Sequence, residues 1–305
     1  MTRLTFLGTG TSLGVPIVGC RCPVCTSPDS RDKRFRSAAL FEAEGLRILV
    51  DCGPDFRSQM LRAGIGHLDA ILLTHNHKDH TGGLDDVRSL NYIDRHSISI
   101  YCEERVLTSL RTEYPYAFTS PKYPGAPEWQ VYLIDENPFT IAPDAGEREL
   151  VWVHDVGYGY RLPDGSVIPT PADNISRAGC GQEGVKVTPI RGIHGKMPIL
   201  GFRIGSIAYL TDMSMIPEEE FAKLQGLEHV SLNTVSYAPH HSHFSLEEAL
   251  ETADRIGARH TWLTHLSHTF PVHVKFCEEL ASMCARMGVR SEVQPAWDGL
   301  TLESD

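Results

Sequence analysis

The chain has 305 residues, 41% of them hydrophobic, with 28 basic against 39 acidic side chains and a net charge of −11. That composition excludes a disordered chain, a collagen-like or low-complexity sequence and a small disulfide scaffold, and the acidic total argues against a nucleic-acid partner. No apolar run approaches the roughly 18 residues of a membrane span, and the opening MTRLTFLGTGTS lacks a signal-peptide pattern, so the expectation is a cytoplasmic protein, away from membranes, with a single domain over residues 1–305.

The first strand is predicted at TRLTFLG, running into the turn GTGTSLGVP. This turn lacks the G-x-G-x-x-G spacing and leads to a cysteine-rich loop instead of a helix, so it is no dinucleotide fingerprint. Residues 37–41 and 46–50 read as a hairpin around Glu44-Gly45. Residues 56–63 read as a helix stopped by Gly64, and 69–73 as a buried strand. A helix over 83–90, a strand over 97–101 and a helix over 103–113 follow. The proline-rich middle holds brief strands near 129–134 and 150–153. Residues 156–184, rich in Gly, Pro and Asp, read as a hairpin-like excursion flanking the active site. Its Arg161 and Arg177 stand against Asp164, Asp173 and Glu183, so it is no basic arm. Strands are expected at 185–190, 200–204, 207–210 and 261–263. Ser245 and Glu248 form a capping box, and Leu246, Ala249, Leu250, Ala253 and Ile256 give the helix after it one apolar face, ended by Gly257. The last helix is expected to take Pro271 in its first turn and to bury Val274, Cys277, Leu280, Cys284 and Met287 before Gly288. Strands alternating with helices in this way point to an α/β fold.

Two groups of residues point to metals. Of eight cysteines, Cys20, Cys22 and Cys25 crowd into a C-x-C-x-x-C turn. Without an export pattern, three close thiols fit a metal site better than a disulfide framework. The segment THNHKDHTGG places His75, His77, Asp79 and His80 just past a buried strand. Imidazole and carboxylate suit Zn2+, Mn2+ or Fe2+, and Gly82-Gly83 lets the backbone turn closely. Asp51 ends the LRILVDCG strand, either as a strand-end cap or as a carboxylate that orients the histidine loop. Asp212, in YLTDM, reads as a helix N-cap or a ligand. His194, in IRGIHGKMP, reads as a core-edge histidine or a ligand. His240 and His241 read as surface residues or as lining of a site entrance.

The segments FLGTGTSLGVP, CRCPVC, LVDCGPDFRSQ, THNHKDHTGGLDDVRSLN, YLTDM, SHFSLEEAL and LTHLSH stand in one order. That order resembles the metallo-β-lactamase superfamily and, within it, the PhnP-like phosphoribosyl cyclic phosphate phosphodiesterases. The resemblance implies an αββα sandwich with metals at the rim between two β-sheets. It implies two catalytic divalent cations, Mn2+ or Zn2+, with His75, His77 and His194 on one, Asp79, His80 and His265 on the other, and Asp212 bridging. His243 would touch the substrate and protonate the leaving alkoxide. Cys20, Cys22, Cys25 and His268 would hold one structural Zn2+ in the loop over residues 18–28. The implied reaction is metal-dependent hydrolysis of a small cyclic phosphodiester, 5-phosphoribosyl 1,2-cyclic phosphate giving ribose 1,5-bisphosphate. Arg57, Arg88 and Lys196 are candidate phosphate contacts. The alternatives are tRNA 3′-end cleavage, lactone or thioester hydrolysis, and a non-enzymatic zinc-stabilised scaffold. A homodimer is a further expectation.

Overall fold

Two units divide the chain: Met1–Glu44 with Val187–Asp305, and Gly45–Lys186. The computed structural model describes residues 1–119, 122–123, 125–143, 149–154, 157–181 and 183–304. The first unit opens with strands β1 (Thr2–Gly8) and β2 (Ala38–Ala43), paired antiparallel with Leu4 opposite Phe41. Glu44 and Gly45 then take φ of 51° and 84°, the backbone of a two-residue turn.

The second unit begins with β3 (Leu46–Val50), α1 (Phe56–Ala63) and β4 (Ala70–Leu72). A short α2 (Lys78–Thr81) carries the histidine loop into α3 (Arg88–Asp94). Next come β5 (Ile98–Cys102), α4 (Glu104–Glu113), β6 (Trp129–Leu133) and β7 (Phe139–Ile141). Strands β8 (Glu149–Val153), β9 (Gly157–Arg161), β10 (Val167–Pro169) and β11 (Ile175–Arg177) follow. Within this unit β3, β4, β5, β6 and β11 run side by side and parallel. Parallel strands are covered on both faces, which explains the unbroken burial of β4. The excursion adds β9 and β10 to an antiparallel sheet with β8 and gives β11 to β6; its residues 156 and 182 lie outside the described set. The helix expected over 83–90 starts differently. Gly83 N–H is tied to the Cys52 carbonyl at 2.8 Å, residues 84–87 wind as a 3-10 turn, and α3 runs on to Asp94.

The chain returns to the first unit through β12 (Val185–His194), β13 (Met197–Ile204), β14 (Ile207–Tyr209) and β15 (His229–Asn233). It ends with α5 (Leu246–Ile256), β16 (His260–Thr264), α6 (His273–Met287), β17 (Glu292–Pro295) and β18 (Thr301–Ser304). The sheet runs β17–β16–β15–β14–β13–β12, parallel from β17 to β14 and antiparallel thereafter. β18 pairs antiparallel with β1. Helices α5 and α6 close a core of Ile199, Leu210, Val230, Leu232, Leu250, Phe276 and Leu280.

The termini of α5 follow the sequence: Ser245 and Glu248 cap each other and Gly257 takes a left-handed φ of 69°. For α6 the expectation is corrected. Pro271 precedes the helix, His273, Phe276 and Leu280 form the buried stripe, and Val274 is half exposed. Ser245 is buried and its hydroxyl accepts from the Glu248 amide. Ser245→Ala should therefore cost about 1–2 kcal/mol, read as a lower urea midpoint with an unchanged slope. An unmoved midpoint would show that the cap contributes nothing.

Candidate metal centres

In Gly45–Lys186 the site grows from the end of β3. Asp51 is fully buried and takes a positive φ of 64°, a conformation that Asp tolerates better than most residues. Its carboxylate accepts from the Thr74 amide at 2.9 Å, from the Thr74 hydroxyl at 2.9 and 3.0 Å, and from His80 Nδ1 at 2.6 Å. Burial pushes the Asp51 carboxyl up, and His80 and Thr74 oppose that. The Thr74 hydroxyl has one proton, and it goes to Asp51. Its oxygen therefore accepts from His75 Nδ1, 2.9 Å away. Both rings, when neutral, thus present their lone pair at Nε2. His80 Nε2 faces Asp79 Oδ2 at 3.3 Å. Two acceptors at that distance suit a cation between them. His77 is exposed and its ring lies 4.7 Å from that of His75.

Gly53 holds this loop close. A Cβ there would stand 2.0 Å from the Asp79 carbonyl oxygen, so the backbone approach admits no side chain. Cys52 adds two bonds, its N–H to the His80 carbonyl and its carbonyl from the Gly83 N–H, both 2.8 Å.

The other unit repeats the pattern. Asp212 and His265, both buried, take φ of 63° and 55°. The Thr211 hydroxyl donates to Asp212 Oδ1 at 2.7 Å. The Asn233 side chain clasps the next residue, accepting from the Met213 amide at 2.7 Å and donating to its carbonyl at 2.9 Å. His194 Nδ1 donates to the Asp212 carbonyl at 2.6 Å. The Ser37 hydroxyl donates to the Gly10 carbonyl, so its oxygen accepts from His265 Nδ1, each bond 3.0 Å. Asp212 Oδ1 also lies 3.0 Å from His265 Nδ1. These two rings likewise present Nε2. A far nitrogen anchored on a protein oxygen is what metal-ligating histidines show. His243 is different: its Nδ1 is buried with no hydrogen bond among the described residues. Its ring stacks on His265 at 4.8 Å and meets His194 edge-on at 4.7 Å. Burial and the neighbouring His265 ring lower its pKa to about 3, against the pull of Asp212. His194, Asp212 and His243 bring ligand atoms within 4.8 Å of one another.

The third group is sulfur-rich. His268 Nδ1 lies 3.3, 3.5 and 3.6 Å from the sulfurs of Cys20, Cys22 and Cys25. A tetrahedral Zn2+ with ordinary Zn–S and Zn–N bonds needs that edge to be about 3.6 Å. The Cys25 amide on its sulfur, with His268 nearby, lowers the Cys22 thiol to about 6, while burial raises Cys25 to about 11. All eight cysteines are free thiols. Val15, Val24 and Cys25, flanked by Ile17 and Val272, pack a small apolar cluster around the loop.

The candidate phosphate contacts fall away from these groups. Arg57 and Lys196 are exposed; His240 and His241 are exposed too, but they stay beside the second group, the His240 ring 5.1 Å from that of His243 and 4.5 Å from that of His241. Arg88 is committed to Asp85 at 3.3 Å and to the Gly125 carbonyl. Thr74, Ser37 and Asn233 escaped the sequence reading. Thr74 adjoins the histidine motif and had a local signal; Ser37 and Asn233 reach their partners only through the fold.

A family model described as a beta-lactamase superfamily domain matches residues 46–266. The crystal structure of a new diphosphatase from the PhnP family shares 32% identity with a TM-score of 0.76, covering 100% of this chain and 98% of that one. The chain belongs to the PhnP family of the beta-lactamase superfamily. Its fold is the α/β metallo-β-lactamase-like one, with mixed sheets flanked by helices. An octanoyltransferase of Porphyromonas gingivalis is 38% identical over 281 residues, 91% of this chain and 48% of that protein. The chain thus spans about half the length of that curated relative. A ribonuclease Z of Mycobacterium sp. is 28% identical over 290 residues, 87% of this chain and 84% of its own. Among the described residues, no helix is long and apolar enough to cross a membrane.

Asp51→Asn keeps the size and the left-handed backbone but removes the charge that orders Thr74 and His80. Cation affinity should fall about 10- to 100-fold, with the far-ultraviolet circular dichroism unchanged. Titration of Mn2+ into the metal-stripped variant measures it; wild-type affinity would remove Asp51 from the site.

Proposed function

We propose that the chain is a metal-dependent hydrolase of a small cyclic phosphodiester, with 5-phosphoribosyl 1,2-cyclic phosphate as its substrate and ribose 1,5-bisphosphate as product. The observation that carries this is the anchoring of Nδ1 in His75, His80, His194 and His265, four rings of a PhnP-family chain prepared as ligands. On the family pattern His75, His77 and His194 hold one cation, Asp79, His80 and His265 the second, and Asp212 both. Two divalent cations, Mn2+ or Zn2+, would lower the proton affinity of a water and neutralise the phosphoryl oxygens. Asp51 keeps His75 and His80 in the ligating tautomer. Cys20, Cys22, Cys25 and His268 hold a separate structural Zn2+.

Hydrolysis adds water across one P–O bond of the ring, and the departing sugar oxygen must gain a proton. His243 is the residue for that step. Burial and the His265 ring hold its pKa down to about 3, and the negative charge of a bound phosphodiester would favour the protonated ring that donates. A second reading, hydrolysis of a phosphoanhydride, is favoured by the PhnP-family relative described as a diphosphatase. The net charge of −11 weighs against a polynucleotide substrate. A panel of the cyclic ribose phosphate, a nucleoside diphosphate, precursor tRNA and an octanoyl thioester separates these readings. Turnover of the diphosphate with none of the cyclic ester would overturn the first choice.

Proton transfer and metal binding separate by mutation. His243→Ala should keep its cations and lose about 10²- to 10⁴-fold in kcat on the cyclic ester. On an aryl phosphodiester, whose leaving group departs unprotonated, it should lose far less. His265→Ala should lose a cation and fail on both. Equal losses on both esters, or a lost cation in His243→Ala, would make His243 a ligand.

A further inference from the structure

Gly45–Lys186 carries another set of ligating side chains that the hydrolytic reading leaves unused. His67 lies in the segment between α1 and β4, Asp94 ends α3, and His96 follows it. Their ligand atoms lie within 4.8 Å of one another. His67 Nδ1 is 2.8 Å and His96 Nε2 is 3.8 Å from Asp94 Oδ2. Those distances bracket the edge of about 3.4 Å that a tetrahedral dication with N and O ligands requires. The ring centroids stand 5.7 Å apart with planes inclined at 57°.

The outer contacts place the protons. His96 Nδ1 is 2.6 Å from the Ser97 carbonyl oxygen, which only accepts, so Nδ1 carries the proton. The lone pair is then at Nε2, which is buried and makes no hydrogen bond among the described residues. His67 Nε2 is 3.2 Å from Asp69 Oδ1. A proton there leaves the His67 lone pair at Nδ1, toward Asp94. Both rings therefore turn a lone pair to one carboxylate oxygen, with their far nitrogens held by a carboxylate and a carbonyl. A doubly protonated His67 bridging Asp69 and Asp94 would account for one ring and leave His96 Nε2 unanswered. The cluster opens on a cavity of about 750 Å³, lined also by Ser99, Tyr101, Gln130 and Arg177.

We propose that His67, Asp94 and His96 form a further dication site for a Zn2+-class ion, with its open coordination position on this cavity. Two imidazoles and one carboxylate suit Zn2+ over the harder Mg2+ and Ca2+. Asp69 acts as a positioning residue through His67. The site shares no ligand with the hydrolytic set, and room in the cavity admits water or a small anion as the fourth ligand.

The test is Zn2+ titration of the full chain after chelation, followed by calorimetry. Wild type should take up one more equivalent than His67→Ala/His96→Ala, and Asp94→Asn should weaken that equivalent at least about 10-fold. Ser99→Ala, which lines the cavity without offering a ligand, should match wild type. Should the double variant fail to fold, Asp94→Asn, which keeps the side-chain shape, decides. Equal stoichiometry and affinity in wild type and Asp94→Asn would overturn the site, as would crystals grown in excess Zn2+ without anomalous density between the three side chains. Co2+ loading gives a second readout: the spectrum of wild type minus that of Asp94→Asn should show d–d bands with no thiolate charge transfer, and a featureless difference would overturn the site.

Discussion

The histidine loop depends on one buried carboxylate. An ionised Asp51 out of water costs several kcal/mol unless its lone pairs are engaged. Thr74 engages it through both its amide and hydroxyl, and His80 through Nδ1. Each donor is therefore held as firmly as it holds. Because the Thr74 proton is spent on Asp51, the His75 ring is fixed one bond further out. The lone pairs that a cation needs are thus set by hydrogen bonds made before any cation arrives. Preorganisation of this kind moves the cost of ordering from binding to folding. Part of that cost is visible in the backbone, where a non-glycine residue in the left-handed region stores of order 1–3 kcal/mol.

The first unit uses the same devices with different parts. Among the described residues, five other than glycine take a positive φ, and three of them are Asp51, Asp212 and His265. Each follows a strand: Asp51 after β3, Asp212 shortly after β14, His265 after β16. Parallel strands deliver their carboxyl ends to one edge, so β14, β15 and β16 bring Thr211-Asp212, Asn233 and His265 to the same edge of their sheet. A hydroxyl that passes its own proton onward fixes a ring in both units, Thr74 for His75 and Ser37 for His265. Asn233, the last residue of β15, closes the turn after Asp212 through two bonds to Met213.

What the sequence disclosed follows from the range of the forces involved. Helix ends governed by local chemistry were legible, as at Gly64 and at the Ser245/Glu248 box, because cap and helix are neighbours in the chain. The buried face of α6 was legible at Leu280, Cys284 and Met287, which lie in or against the core, but not in its first turn. Val274 is more apolar than His273, but the His273 amide bonds Asp32 and its ring meets Arg34, contacts some 240 residues away in the chain. Strand β15 was missed for a related reason: HVSLN is buried throughout while three of its five residues are polar, and the Asn233 side chain is used up on Met213. The ligand candidates were legible because histidine and aspartate are costly to place after a buried strand without a use. Ser37, by contrast, is recognisable only once His265 lies beside it.

The donor sets differ in softness, and that difference sorts metals. Three thiolates and an imidazole favour Zn2+ strongly over Mn2+, whereas imidazole and carboxylate accept either. His268 Nδ1 already stands near the tetrahedral spacing from each of the three sulfurs, and the Cys25 amide draws the Cys22 thiol down to about 6. A cell rich in Mn2+ and poor in Zn2+ would then fill the cysteine loop with Zn2+ first, since the harder ion competes poorly for sulfur. The loop joins Cys20–Cys25 to His268, positions at opposite ends of the chain within one unit. A cation bound there would therefore close a long stretch of the unfolded chain, where a crosslink removes the most conformational freedom. His265 lies three residues before His268, so ordering of the cysteine loop also limits the motion of a residue placed in the hydrolytic set. Structural Zn2+ would thereby support catalysis through the backbone between His265 and His268 without sharing a ligand with the catalytic cations.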